Sequence, residues 1–82
     1  MVESDLKALI CKSFLDGDTD FPLALDTNLL EEGICDSLGL VRLAGKIEKQ
    51  IPGIKIRDQE ITRDNFSSMR KILAFVEKKA RA

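Results

Sequence analysis

The sequence predicts an all-α domain with three main helices, one short helix and a long first loop. Three segments place apolar residues at steps of three and four, the spacing of one buried helix face. Breakers separate these segments, because an acidic stretch with Gly17 follows the first and Pro52-Gly53 ends the second. The 82 residues are expected to form a single domain, 1–82, around one modest core.

The first predicted helix covers residues 3–15. Its apolar residues are Val2, Leu6, Leu9, Ile10 and Phe14. Ser4 is expected to be the N-cap, which places Asp5 in the first turn, where the helix dipole favours a negative charge.

The first loop runs to Asp36, and Pro22 prevents an early return to helix. A loop of this length in a small domain needs its own anchors. We expect its apolar residues to turn inward: Phe21, Leu23, Leu25, Leu29, Leu30 and Ile34.

The second predicted helix begins at Leu38 and ends before Pro52-Gly53. Its expected apolar stripe is Leu38, Val41, Ala44, Ile47 and Ile51. Gly39 and Gly45 each weaken this helix by about 1 kcal/mol relative to alanine. Two explanations are open for each glycine. It allows close approach by another backbone or a partner, or it is tolerated without such a role.

The last third of the chain completes the helical pattern. Residues 54–56 are expected to be extended, and 58–65 to form one short helical turn with Ile61 reaching the core. Ser67 or Ser68 is expected to cap the last helix, whose apolar residues are Met69, Ile72, Leu73, Phe75 and Val76. The basic end of this helix complements its dipole.

The composition argues against several classes of protein. Histidine, the commonest general base and metal ligand, is absent, so a self-contained enzyme is not expected. Cys11 and Cys35 have no metal-ligand spacing and are interpreted as small apolar fillers. No apolar run could span a membrane and no secretory signal pattern is present, which predicts a cytoplasmic protein.

Charge is distributed unevenly along the chain. Residues 1–37 hold nine acids and two bases, a net −7, whereas residues 38–82 hold eleven bases and five acids, a net +6. This dipolar distribution favours orientation of a protein partner over binding to nucleic acid.

An acidic cluster in the first loop raises the alternative of a calcium-binding protein. Asp16, Asp18 and Asp20 have the opening spacing of a calcium loop. The motif requires glycine at its sixth position and glutamate at its twelfth, where this chain has Phe21 and Thr27. A solvated turn is the favoured interpretation, with no metal.

Ser37 follows Asp36 where the loop meets the second helix, and two roles are open for it. It caps the helix, as in a small helical protein-interaction module. Alternatively, it presents its hydroxyl at the positive end of the helix dipole, where an attached phosphate is well tolerated.

Two longer segments separate these roles. Residues 26–39 read DTNLLEEGICDSLG and resemble the prosthetic-group attachment region of acyl, peptidyl and D-alanyl carrier proteins. Residues 58–68 read DQEITRDNFSS and are similar to the third-helix region of small stand-alone members. The resemblance therefore covers nearly the whole chain.

The resemblance implies a four-helix acyl-carrier-protein-like bundle whose Ser37 receives 4′-phosphopantetheine from coenzyme A. Asp36 and Leu38 would flank the attachment site, with Asp36 recognised by the transferase. Gly39, Val41 and Arg42 would contribute to a partner surface. The implied partners are a phosphopantetheinyl transferase, an acyl- or aminoacyl-activating ligase and a downstream acyltransferase or synthase acting on a monomer.

The charge of the helix after the serine differs from the charge that is typical in one branch of this family. In carriers of fatty-acid synthesis it is typically acidic, whereas residues 38–51 contain three bases and one acid, a net +2. Partners with a basic docking patch would engage it poorly. The expectation is therefore a specialised pathway with its own activating enzyme, handling an amino acid or a particular acyl group.

Overall fold

The computed structural model describes residues 1–18 and 20–81 of the chain, and no strand occurs among them. Its helices are α1 (Glu3–Phe14), α2 (Ser37–Gln50), α3 (Arg63–Phe66) and α4 (Met69–Arg81). A 3-10 turn, Asp58–Glu60, precedes α3. The all-α prediction is confirmed, and the one short turn predicted over 58–65 is two separate turns.

A single core joins the helices and the first loop. Its fully buried side chains, ordered by size, are Phe66, Leu6, Ile10, Leu29, Leu43, Ile47, Met69, Ile72 and Cys11. Because Leu29 comes from the loop and Cys11 from α1, loop and helices share the same buried interior.

The N-cap of α1 differs from its prediction. The N-cap is Val2, so Ser4 lies exposed inside the first turn. Asp5 does occupy that turn, and its Oδ2 accepts a hydrogen bond from the Val2 N–H at 3.4 Å. The helix therefore starts at residue 3, as the predicted range 3–15 has it, and only the assignment of Ser4 as N-cap is wrong.

The first loop is anchored as predicted. Leu23, Leu29 and Ile34 are buried, and the remaining apolar residues, Phe21, Leu25 and Leu30, are half-buried against the core. The Leu29 N–H donates to the Ser67 carbonyl at 2.7 Å, which fixes the loop to the residues before α4. The acidic loop therefore has a defined path over the helices.

The predicted apolar stripe of α2 is wrong in its first half. Leu38 is 70% exposed and Val41 49% exposed. The buried face consists of Gly39, Leu40, Leu43, Ala44 and Ile47. Steps of three each fall about 60° short of a full turn, so a run of them drifts from the outer face to the core.

Gly39 allows a close approach within the chain. A Cβ at this position would lie 2.8 Å from the Cys35 Cβ and 3.1 Å from a ring carbon of Phe14. Gly45 has nothing within 4 Å of such a Cβ. Of the two explanations offered for these glycines, close approach fits Gly39 and tolerance fits Gly45.

Ser68 caps α4. Its Oγ accepts a hydrogen bond from the Lys71 N–H at 3.3 Å, and the residue is only 6% exposed. This selects Ser68 over Ser67 as the capping residue. Ile61 packs against the core from the segment before α3, as expected.

Candidate functional site

The junction of the first loop with α2 decides the role of Ser37. Asp36 is the N-cap, in extended conformation, and its Oδ1 accepts a hydrogen bond from the Gly39 N–H at 2.7 Å. Its carbonyl accepts from the Leu40 N–H at 3.0 Å. Ser37 is thus the first residue of the helix, and the interpretation of Ser37 as the cap is wrong.

The Ser37 side chain is exposed to solvent. Within the described part of the chain, its hydroxyl forms no hydrogen bond. The N–H groups of Ser37 and Leu38 also have no acceptor among the described residues. Free amides at a helix start favour a negatively charged group, so a phosphate on this hydroxyl would meet a favourable field.

An open groove of about 600 Å³ adjoins Ser37. Its lining side chains come from α1, the first loop, α2 and α3, and include Phe14, Leu30, Ile34, Asp36, Arg42 and Arg63. Apolar groups and two guanidinium groups therefore surround the space next to the hydroxyl.

Arg63 was not identified from the sequence as a residue of this site. It stands at the start of α3, and only the packing of α3 beside the loop brings it to the same groove as Ser37. No local pattern in the sequence marks this neighbour.

Cys35 is buried beside the site. Burial raises the pKa of its thiol, and the Asp36 carboxylate raises it further. Because the thiolate is the nucleophilic form, both effects make Cys35 a poor nucleophile. Cys11 is also buried and free, so the interpretation of both cysteines as apolar filler is confirmed.

The residues predicted for a partner surface fall into two groups. Val41 and Arg42 are exposed on the outer side of α2, beside the exposed Leu38, which was predicted to flank the attachment site. Gly39 is buried, so it contributes indirectly, by letting the helix start lie against Phe14 and Cys35.

The acidic loop cluster shows the geometry of a turn. Asp18 Oδ1 accepts a hydrogen bond from the Asp20 N–H at 3.0 Å, while Thr19 between them lies outside the described residues. In the part of the chain that the structure covers, no three His, Cys, Asp or Glu residues group in a way that could hold a metal ion. Over the same residues, no helix combines the length and hydropathy needed to cross a membrane.

Comparison with protein families identifies the class of protein. The family described as phosphopantetheine attachment site matches residues 5–76 of this chain. The chain belongs to this family. It is a carrier protein, and its prosthetic group is covalently attached phosphopantetheine. The exposed hydroxyl and the open groove have the access that such a group requires.

Several curated D-alanyl carrier proteins are similar in sequence to this chain over most of their length. D-alanyl carrier protein 1 of Lactiplantibacillus plantarum is 35% identical over 78 residues, covering 94% of this carrier protein and 96% of the relative. The D-alanyl carrier protein of Lacticaseibacillus casei is 36% identical over 63 residues, covering 77% and 76%. That of Abiotrophia defectiva is 34% identical over 58 residues, covering 71% and 72%.

Proposed function

We propose that Ser37 is the attachment residue and that the protein is a non-catalytic carrier. The proposal rests on the different positions of two neighbouring residues at the start of α2. Asp36 caps the helix, which leaves the exposed Ser37 hydroxyl available for modification.

The modification is a phosphoryl transfer from coenzyme A. The Ser37 oxygen forms the new bond to phosphorus, and the adenine-nucleotide part of coenzyme A leaves with the electron pair of the broken P–O bond. A base on the transferase takes the hydroxyl proton. Asp36, exposed beside the hydroxyl, is the residue that we assign to recognition by the transferase.

The attached group supplies a terminal thiol that holds a carboxylic acid as a thioester. The chain's own contribution is tethering, which presents the cargo to a partner at high effective concentration. An aminoacyl cargo is supported by the D-alanyl carriers among the relatives. A specialised acyl group is the other cargo class that this attachment chemistry permits.

The outer face of α2 is the proposed partner surface. Leu38 and Val41 offer exposed apolar groups, with Arg42 next to them. Glu48, the one acid of this helix, is half-buried, and its Oε2 accepts a hydrogen bond from the Ile56 N–H at 2.8 Å. The exposed face is therefore basic, which suits ligases and synthases whose carrier-docking surface is acidic.

We further propose that the protein is a monomeric, cytoplasmic carrier in a specialised biosynthetic pathway. Its partners would be a phosphopantetheinyl transferase, an acyl- or aminoacyl-activating ligase and a downstream acyltransferase or synthase. The uneven charge along the chain suits such protein partners better than nucleic acid.

Intact-mass measurement tests the attachment. The protein is incubated with coenzyme A, Mg²⁺ and a broad-specificity transferase, and we expect the mass of one phosphopantetheine to be gained. Ser37→Ala should gain none. Ser4→Ala, which removes another exposed serine from a first helical turn, should be modified like the wild type. An unmodified wild type, alongside a control carrier that is converted, would sink the proposal.

The cargo is tested on the modified protein. It is incubated with ATP and either D-alanine plus a D-alanine-activating ligase, or fatty acids plus a fatty-acyl ligase. A mass gain of one alanyl group supports the aminoacyl cargo. Loading by the fatty-acyl ligase alone would exclude it and favour the acyl class.

A further inference from the structure

The groove beside Ser37 combines two kinds of surface. Phe14, Leu30 and Ile34 supply apolar groups along it, and each is at least half-buried. Arg42 and Arg63 supply guanidinium groups from two different helices. Such a lining matches a ligand that is anionic at one point and partly apolar along its length.

The two arginines are available for a ligand. Both are exposed, and neither forms an ion pair with another residue that the structure describes. Among the described residues, Asp36 is the single carboxylate that lines the groove, and its Oδ1 accepts a hydrogen bond from the Gly39 N–H. The charged lining residues therefore sum to +1, two arginines against one aspartate.

We propose that, in the modified protein, the phosphodiester on Ser37 lies between Arg42 and Arg63. The pantetheine arm then folds along the side of the groove formed by Phe14, Leu30 and Ile34. This inference rests on the proposed attachment at Ser37. It adds a resting site for the arm on this chain's own surface.

The chemistry of the arm fits this placement. Guanidinium groups bind phosphate oxygens through charge-assisted hydrogen bonds, often in pairs, which a lysine does less well. The methyl groups of the pantoyl unit are apolar and lose contact with water when they lie against leucine, isoleucine and phenylalanine. Because the attachment is covalent, the arm is always at high local concentration beside the groove.

The resting site also affects partner binding. Arg42 borders both the groove and the outer face of α2. A partner carboxylate that pairs with Arg42 competes with the phosphodiester and so shifts the arm toward the extended state. Docking and release of the arm are then coupled through one side chain.

Phosphorus NMR on the modified protein tests the resting site. A phosphodiester held by the groove tumbles with the protein, whereas a free arm moves faster and gives a sharper resonance. We expect the transverse relaxation rate of the wild-type resonance to fall at least about twofold in Arg42→Gln/Arg63→Gln. Lys49→Gln/Lys55→Gln removes two positive charges outside the groove and should leave the rate unchanged.

Amide shifts supply a second measurement on the wild type alone. Conversion from the unmodified to the modified form should shift the Gly33 and Ile34 amide resonances, because both residues line the groove away from α2. Added salt should reverse part of that shift by screening the arginines.

The outcomes separate this inference from the proposed function. If Ser37 is not modified, the proposed function itself fails. If modification proceeds but Gly33 and Ile34 do not shift, the resting site is overturned. Equal phosphorus relaxation in wild type and the arginine variant, or an equal loss in the lysine control, overturns the arginine assignment.

Discussion

The starts of α2 and α4 each contain a serine, but the two hydroxyls are used differently. Ser68 precedes α4, is almost fully buried, and accepts a hydrogen bond from the Lys71 N–H. Ser37 stands one position later relative to its helix, because Asp36 takes the capping role at 2.7 Å. A shift of one residue thus turns a structural hydroxyl into an available one.

The start of α4 is also more enclosed by the rest of the chain than the start of α2. The Arg70 N–H at the start of α4 donates to the Leu25 carbonyl at 3.0 Å, and the Arg70 side chain pairs with Asp26 at 2.6 Å. At the start of α2, Ser37 and Leu38 are exposed. One helix start is enclosed by the first loop and the other faces solvent, which is what a modification site needs.

The largest expected effect separates function from stability at Ser37. Ser37→Ala should abolish phosphopantetheine transfer and change the free energy of unfolding by less than about 0.5 kcal/mol, because Asp36 still caps α2. Mass spectrometry and urea unfolding of the same sample measure both. A destabilisation of about 1 kcal/mol or more would return Ser37 to a capping role.

Close packing at the start of α2 predicts the next largest effect. Gly39→Ala introduces a Cβ 2.8 Å from the Cys35 Cβ, so we expect a loss of about 1–3 kcal/mol in unfolding free energy. Gly45→Ala is the matched control, since its Cβ meets nothing within 4 Å and alanine favours a helix by about 1 kcal/mol. Equal effects of the two substitutions in urea unfolding would contradict this account.

Substitutions of Asp36, the cap of α2, should have the third largest effect. Asp36→Ala removes the acceptor for the Gly39 N–H and should lower the free energy of unfolding by about 1 kcal/mol. Asp36→Asn keeps a capping oxygen and should unfold like the wild type. Slow transfer by the transferase in both variants would assign recognition to the carboxylate charge. Normal transfer to the asparagine variant would remove that role.

The cap of α4 should show the reverse of Ser37. Ser68→Ala is expected to lower the free energy of unfolding by about 0.5–1 kcal/mol, the low end for caps because its hydrogen bond is long at 3.3 Å. The rate of phosphopantetheine transfer should not change. A variant with normal unfolding but impaired transfer would show that the contrast between the two serines is misassigned.

Acidification should produce the smallest effect, on contacts of α4. The hydrogen bond from Lys79 holds the pKa of Glu60 below 4.5, with help from the Arg57 N–H, and Arg70 lowers the pKa of Asp26. Since these pKa values are depressed on folding, their contribution is present above the unfolded values and is lost as the pH falls through the folded ones.

Urea midpoints between neutral pH and the acidic range below 4.5 measure this loss. Glu60→Gln should flatten the decline, because it removes a carboxylate whose pKa is lowered on folding. A decline in Glu60→Gln as steep as in the wild type would remove Glu60 as a source of the pH dependence.

The periodic spacing of apolar residues predicted the positions of the helices reliably. It was less reliable in predicting which face of each helix is buried. The loop anchors, including Leu29 and Ile34, were predicted because a long loop in a small domain must bury apolar groups. Leu38 and Val41 belong to the predicted apolar stripe but lie outside the core, because steps of three fit either face of a short helix. Their exposure is consistent with a docking role.

Capping was the least predictable local feature. Asp36 and Ser37 are both good caps by residue type, and Ser4 is as well. The choice depends on which residue first adopts helical dihedral angles, and neighbouring packing sets that point. The approach of Gly39 to Phe14 is one such constraint at the start of α2.

The sequence by itself determined the all-α class, the three main helices and the anchored first loop, because these depend on local spacing and residue type. Its resemblance to carrier proteins pointed to Ser37 as the attachment residue. Only the tertiary structure decided that Asp36 caps α2, that Gly39 lies against Phe14, and that Arg63 reaches the groove beside Ser37. The last two features join residues far apart in the chain, whereas the cap joins Asp36 to Gly39, three residues on. All three follow from how the loop and helices pack together. The proposed modification site can therefore be recognised from its motif, whereas its surroundings depend on the packed fold.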